Sequence, residues 1–203
     1  MSPRRYRLGE RESTIQQTRD RIIGAARALL TTSDGFTSFS IEAVARQANV
    51  ARMTVYYQFG SKVGLLEAIC DTMAVNGGIT QLGDVFRLTD PHELLARYVQ
   101  MFSQFWDSDR LLSRRLRGLA ALDPEFELVI RARDERRRRG AEVLVQRLAE
   151  RTGRPAPNEK DQNVDLLFTL TSFDTFDTLA GSARACADVA PLVQRLVKLA
   201  LDL

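Results

Sequence analysis

Arg52, Thr54, Tyr57 and Gln58 crowd one short segment, and Lys62 follows within a few residues. These are hydrogen-bond donors of the kind that read nucleic acid. A guanidinium takes a guanine edge with two bonds, while hydroxyls and ammonium groups fix register on phosphate oxygens. Such groups work only on a rigid carrier, and the surrounding stretch "ANVARMTVYYQFGSK", residues 48–62, supplies one. A helix from about Arg52 to Phe59 sets Val55 and Phe59 four residues apart for packing against Val44, Ala45 and Ala48 of a preceding short helix. That helix starts at Ser40, whose hydroxyl can cap it, and carries Glu42 in its positive first turn. Between the two, Ala48-Asn49-Val50 must reverse the chain, and Asn is among the few residues that tolerate a left-handed backbone. Two short helices joined this way make a helix-turn-helix with its second helix in the major groove.

The chain that positions this element has 203 residues, 44% of them hydrophobic, enough for one large domain or two small ones. Its charge is uneven: residues 1–70 hold 10 basic and 6 acidic side chains, the remainder 19 and 20. A basic N-terminal module beside a near-neutral one suits a nucleic-acid partner. With neither a membrane-length apolar run nor a secretory signal in the sequence, the expected location is the cytoplasm. Cys70 and Cys186 stand apart, with no CxxC and no neighbouring His, and read as buried thiols; neither a metal nor a cofactor is expected.

Helical periodicity runs throughout, and no strand-type alternation is found. Ser13 and Gln16 form a possible capping box ahead of Ile15, Ile22, Ile23, Ala26, Leu29 and Leu30, which should stop at the turn pair Asp34-Gly35; Phe36 and Phe39 plug the following loop. Asp90-Pro91 and Asp123-Pro124 each place a capping carboxylate before a proline at a first helical position. Thr152 to Asn158 is a breaker, Asn158 can cap a helix that Gly181 closes, and a last apolar stripe includes Leu192, Val193, Leu196 and Val197. The segment from Asn76-Gly77-Gly78 to Thr89 reads as loop or irregular turn. The expected fold is all-α with about nine helices: a basic flexible arm over 1–13, a three-helix DNA-binding module with its linking helix over 14–73, and a helical regulatory and dimerisation domain over 74–203.

The segment 14–70 resembles the TetR/AcrR-type transcriptional regulators, whose signature runs roughly Thr, Ile-Ala, Ala-Gly-Val-Ser, Gly-Thr-Leu-Tyr, His-Phe, Ser-Lys. Here the matching positions are Ser40, Val44-Ala45, Ala48-Asn49-Val50-Ala51, Met53-Thr54-Val55-Tyr56, Tyr57, Gln58-Phe59 and Ser61-Lys62. Asn49 replaces the usual glycine, Ala51 the serine that normally caps the recognition helix, and Met53 a frequent glycine or proline; a thymine methyl is a possible partner for the Met53 side chain. The resemblance implies a homodimer on double-stranded, palindromic operator DNA, with Ser40, Arg52, Thr54, Tyr56, Tyr57 and Lys62 facing the duplex. It further implies a small-molecule effector held among later helices, with loss of DNA affinity as the result. A repressor answering to an apolar or amphipathic effector is the expected function; an activator, or a regulator answering to a protein partner, is the alternative.

Aromatic residues available for such a pocket are Tyr98, Phe102, Phe105 and Trp106 on one helix, with Phe126 and Phe168 on later ones and Asp174 as a polar group. The absence of a basic cluster inside the apolar runs argues against a strongly anionic effector, and the carboxylates Asp174 and Asp177 leave a cationic one open. Phe173, Asp177, Leu192, Leu196 and Val197 are candidates for the dimer interface. Arg136 to Arg139 covers all sides of a helix and reads as a solvated, salt-bridged surface. Arg4, Arg5, Arg7 and Arg11 sit on the N-terminal arm, where some helix-turn-helix proteins reach into a minor groove; a solvated tail is the plainer reading. For catalysis the materials are thin: His92 is a surface residue of a first helical turn, and the pair Asp174 and Asp177 has no basic or nucleophilic neighbour in sequence.

Overall fold

The computed structural model describes residues 3–32, 39–152 and 160–202. Among them are eleven α-helices and no strand: α1 (Pro3–Leu30), α2 (Ile41–Gln47), α3 (Arg52–Phe59), α4 (Lys62–Asn76), α5 (Leu82–Val85), α6 (Pro91–Ser108), α7 (Arg110–Ala120), α8 (Pro124–Thr152), α9 (Lys160–Leu170), α10 (Phe173–Ala180) and α11 (Cys186–Ala200). The chain divides into two compact units. One runs to Asp71 and also takes in Arg114–Phe126; the other comprises Thr72–Ser113 and Glu127–Leu203.

In the N-terminal unit, α1 buries Ile22, Ile23, Ala25, Ala26 and Leu30 and packs on α2, which buries Ile41, Val44 and Ala45; α4 buries Leu65, Leu66 and Ile69. The helix begins at Pro3 and runs through Ser13, so the capping box expected there does not start it. Ile15, two turns ahead of that stripe, is half exposed. Phe39 is buried, as a plug should be. Asp34, Gly35 and Phe36 lie outside the described residues, as do residues 153–158 of the breaker.

The second unit has its core where the aromatic stripe of α6 meets α8 to α11: Tyr98, Phe102 and Trp106 pack with Leu144, Leu167, Phe173, Phe176, Val189, Val193 and Val197. Asp90 caps α6 by accepting from the Glu93 amide at 2.7 Å, with Pro91 at the first position. More helices appear than the nine or so expected, because long runs are interrupted by caps. Asp109 accepts from Leu112 N at 3.2 Å and starts α7. Ser172 accepts from Thr175 N at 3.2 Å and starts α10, separating it from α9. This second break has a cause in the core: Trp106 Nε1, buried, donates to the Thr171 carbonyl at 3.0 Å, and a carbonyl at a helix end is open to such a donor. The stretch after Gly78, expected as loop, forms one 3-10 turn (Ile79–Gln81) and the short α5.

Candidate nucleic-acid interface

Ser40 caps α2, its Oγ accepting from the Ala43 amide at 3.1 Å. The chain then reverses through Asn49, whose φ of 51° lies in the left-handed region. Asn supplies that conformation at less cost than other side chains. Ala48 N closes α2 by donating to Val44 O at 2.8 Å, and Val50 N donates to Ala45 O at 3.0 Å. α3 begins at Arg52 with Ala51 as its cap residue, which makes no side-chain bond. Relative to serine there, that omission costs about 1 kcal/mol.

What holds α3 is therefore its packing. Val55 is fully buried, a contribution of roughly 1.5–3 kcal/mol, and α3 packs on α2, where Val44, Ala45 and the C-cap residue Ala48 are buried. α1 adds a second hold: Arg19 Nη1 donates to the Gln58 carbonyl at 2.9 Å, and its guanidinium lies 4.5 Å over the Phe59 ring. Gly60 ends the helix at φ 73°, where a side chain would be strained, with its amide on Tyr56 O at 2.8 Å.

The face left outward carries Met53, 71% exposed, and Tyr57, 84% exposed, with Arg52 exposed and Thr54, Tyr56 and Gln58 half-buried. Arg52 is not loose. Nη1 lies 2.7 Å from Glu42 Oε1, Nη2 donates to Tyr56 Oη at 3.1 Å, and the guanidinium sits 5.3 Å over the Tyr56 ring. The Tyr56 bond first, and the Glu42 charge second, raise its pKa.

Lys62 stands at the first turn of α4, where Ser61 Oγ accepts from Gly64 N at 3.0 Å. A cation there opposes the helix dipole, and an anion is favoured. In this chain Asp123 provides it, its Oδ2 3.6 Å from Lys62 Nζ. Asp123 has two tasks, for its Oδ1 also accepts from Phe126 N at 3.3 Å and caps α8. The contacts that Arg19, Glu42 and Asp123 make with Gln58, Arg52 and Lys62 carry no signal in the sequence, since each reaches a partner distant in the chain or on a neighbouring helix.

In the second unit the structure groups Tyr98, Phe102, Phe105 and Trp106 along α6, with ring centroids 4.9 Å apart for Tyr98 and Phe102 and 4.4 Å for Phe105 and Trp106. Phe168 is half-buried beside Arg137. Phe126 does not join them; it is buried in the N-terminal unit. Asp174 is exposed in the first turn of α10. Of the residues expected at a subunit interface, Phe173 and Val197 are committed to the protomer's own core, and Leu192 and Leu196 keep part of their surface.

Two further expectations are corrected. Asp177 has a basic partner: Arg110 Nε bonds its Oδ1, and Nη2 donates to the Asp177 and Gly181 carbonyls at 2.8 and 2.6 Å, so the pair closes the C-terminal end of α10. Both side chains are partly exposed, and the bond lies within the one chain. The arginine run is not uniformly solvated either, because the Arg137 side chain is 8% exposed and its guanidinium stacks 3.6 Å from the Phe168 ring centroid. A basic group does therefore sit among the apolar side chains, which removes the argument against an anionic effector.

The elements among the described residues are helical throughout and present a donor-bearing helix on a helix-turn-helix, an arrangement that DNA-binding proteins use. Residues 22–69 match the model of the family described as "Bacterial regulatory proteins, tetR family", and this module belongs to that family. Solved structures of the same fold include a TetR-like transcriptional regulator from Rhodococcus sp. (TM-score 0.69, 19% identity, 91% of this chain and 96% of that one). A TetR transcription regulator from Haloarcula marismortui is similar to the same degree (0.69, 17%, 92% and 97%), as is the TetR-family regulator PfmR from Thermus thermophilus (0.67, 18%, 87% and 96%). Curated protein sequences give no significant match. Among the described residues no helix is long and apolar enough to cross a membrane.

Proposed function

We propose that this regulator is a homodimeric repressor that reads a palindromic operator with α3 and leaves it when a small apolar or amphipathic effector binds the second unit. The observation that carries the DNA reading is the division of α3: Val55 is fully buried while Met53 and Tyr57 are 71% and 84% exposed and Arg52 stands beside them. A helix held by one apolar anchor, with its outward face given to donors, is the arrangement that a major groove takes. Ser40 and Lys62 stand at the starts of helices α2 and α4, where backbone amides favour phosphate.

Support for an effector is the aromatic run of α6 with Phe168 and Arg137 next to it, apolar walls with a small number of polar groups. Release requires that the effector prefer the state that does not bind DNA; equal affinity for both states shifts nothing. The test is selection of bound fragments from genomic DNA by the purified protein, followed by mobility shift with candidate effectors. A recovered inverted repeat, bound at two subunits per site and released by an effector, is the expected result. Recovery of no enriched sequence would sink the reading.

A further inference from the structure

Glu42 holds the guanidinium on which base reading by α3 depends, and it does so from the neighbouring helix. Its Oε1 lies 2.7 Å from Arg52 Nη1, while Arg52 Nη2 donates to Tyr56 Oη at 3.1 Å and the group lies over the Tyr56 ring. These contacts fix the plane of the fork. They take one N–H of each terminal nitrogen, and of the five N–H groups of the guanidinium three remain, Nε–H included, for a base edge. The Glu42 and Arg52 side chains are 55% and 56% exposed, so in water the pair contributes little to folding. Its effect appears when DNA covers the face and excludes solvent, where the same pair strengthens.

The carboxylate has a second consequence. Glu42 lies in the first turn of α2, two residues beyond the capping Ser40. Its charge opposes a duplex more where Arg52 is left unengaged than where a base holds Arg52 against the carboxylate. Specificity is a difference between affinities, and a repulsive group enlarges it when its cost falls mainly on sequences that do not engage Arg52.

We infer that Glu42 is a positioning residue that sets DNA specificity: it aims Arg52 at a base and weakens binding to DNA that does not engage Arg52. The inference rests on α3 being the recognition helix. Removal of the charge by Glu42→Gln keeps an oxygen acceptor for Arg52, whereas Glu42→Ala removes the contact as well, so the two variants separate repulsion from aiming.

Full-length wild type and both variants are titrated onto two duplexes of equal length, one selected by the wild type from a random pool and one unrelated, at several salt concentrations. For Glu42→Gln, affinity for the unrelated duplex rises and the ratio of selected to unrelated binding falls by about fivefold. For Glu42→Ala, the ratio falls further, by about tenfold or more, and base preference relaxes at the position that Arg52 reads. Thermal midpoints stay near wild type, which a merely structural role would not allow. Unchanged ratios, or equal changes on both duplexes for Glu42→Ala, overturn the inference. If the wild type itself prefers no duplex, the reading of α3 fails and the inference falls with it; if the wild type discriminates and the variants discriminate equally, only the role of Glu42 is lost.

Discussion

Arg19 of α1 donates from Nη1 to the carbonyl of Gln58 at 2.9 Å, so the last turn of the recognition helix is held by a residue 39 positions earlier. The same guanidinium covers the Phe59 ring at 4.5 Å. This hold matters because α3 has no side-chain cap at its other end. Arg19→Ala should cost about 1–2 kcal/mol of stability through the lost charged bond and ring contact. Denaturant unfolding measures it, and faster exchange of the Phe59 and Gly60 amides would localise the loss to α3. A variant as stable as the parent would show the contact to be incidental.

Lys62 and Asp123 give a second expectation, because the lysine is held by a carboxylate that a phosphate bound there would have to replace. Asp123→Asn should keep the cap on α8, for Asn caps helices as well as Asp, and release Lys62, raising affinity for every sequence alike. Lys62→Ala should lower affinity for every sequence and flatten the dependence of log affinity on log salt by about one unit. Titrations at three or more salt concentrations check both. A salt slope unaltered in Lys62→Ala would remove the lysine from the phosphate contacts.

The helix-turn-helix was legible in sequence because its determinants are local. Asn49 at the reversal, Ser40 at the cap and Val55 as the anchor each act within a few residues of where they stand, and the same holds for Asp90 and Asp123 as caps. What was not legible is what long range decides. The neighbours that fix Arg52 and Lys62 sit on other helices, and nothing in the run Arg136–Arg139 marks Arg137 as the member that turns onto Phe168. Nor does periodicity reveal the break between α9 and α10, since the need for it comes from the indole of Trp106, 65 residues away. Apolar stripes likewise do not say which neighbour they meet. Phe173 and Val197 fit an interface by pattern, and both are buried in the protomer's own core.

Tyr98 yields an expectation of opposite sign. Its side chain is fully buried and its hydroxyl has no hydrogen-bond partner among the described residues, with Gly140 packed close beside it. Burial drives its ionisation well above the usual tyrosine range. A buried hydroxyl without a partner costs about 1–3 kcal/mol. Tyr98→Phe should therefore leave the protein as stable or raise its melting temperature, whereas most core substitutions lower it. A clear loss of stability in calorimetry would mean that the hydroxyl is bonded after all.

Cys186 sets an alkaline dependence. Burial first, then the nearby Asp107 carboxylate that accepts from the Cys186 amide at 2.7 Å, pushes its thiol up to about 12 from an ordinary 9.0. The folded state keeps the proton that the unfolded chain releases, so this stabilisation is complete below pH 9 and is lost as pH rises from 9 to 12. Over that window the wild type should lose stability more steeply than Cys186→Ala, by up to about 1.4 kcal/mol per pH unit. Parallel pH profiles of unfolding free energy would refute the assignment.

The central claim is that α3 reads DNA through Arg52, and one titration tests it most directly. Wild type and Arg52→Ala are titrated onto the duplex that the wild type selects and onto the same duplex with the contacted base pair replaced. The account predicts that the wild type loses about 1–3 kcal/mol on the replaced duplex while Arg52→Ala, already weaker on the selected one, barely distinguishes the two. A variant that binds the selected duplex as tightly as the wild type, and discriminates equally well against the replacement, would contradict it.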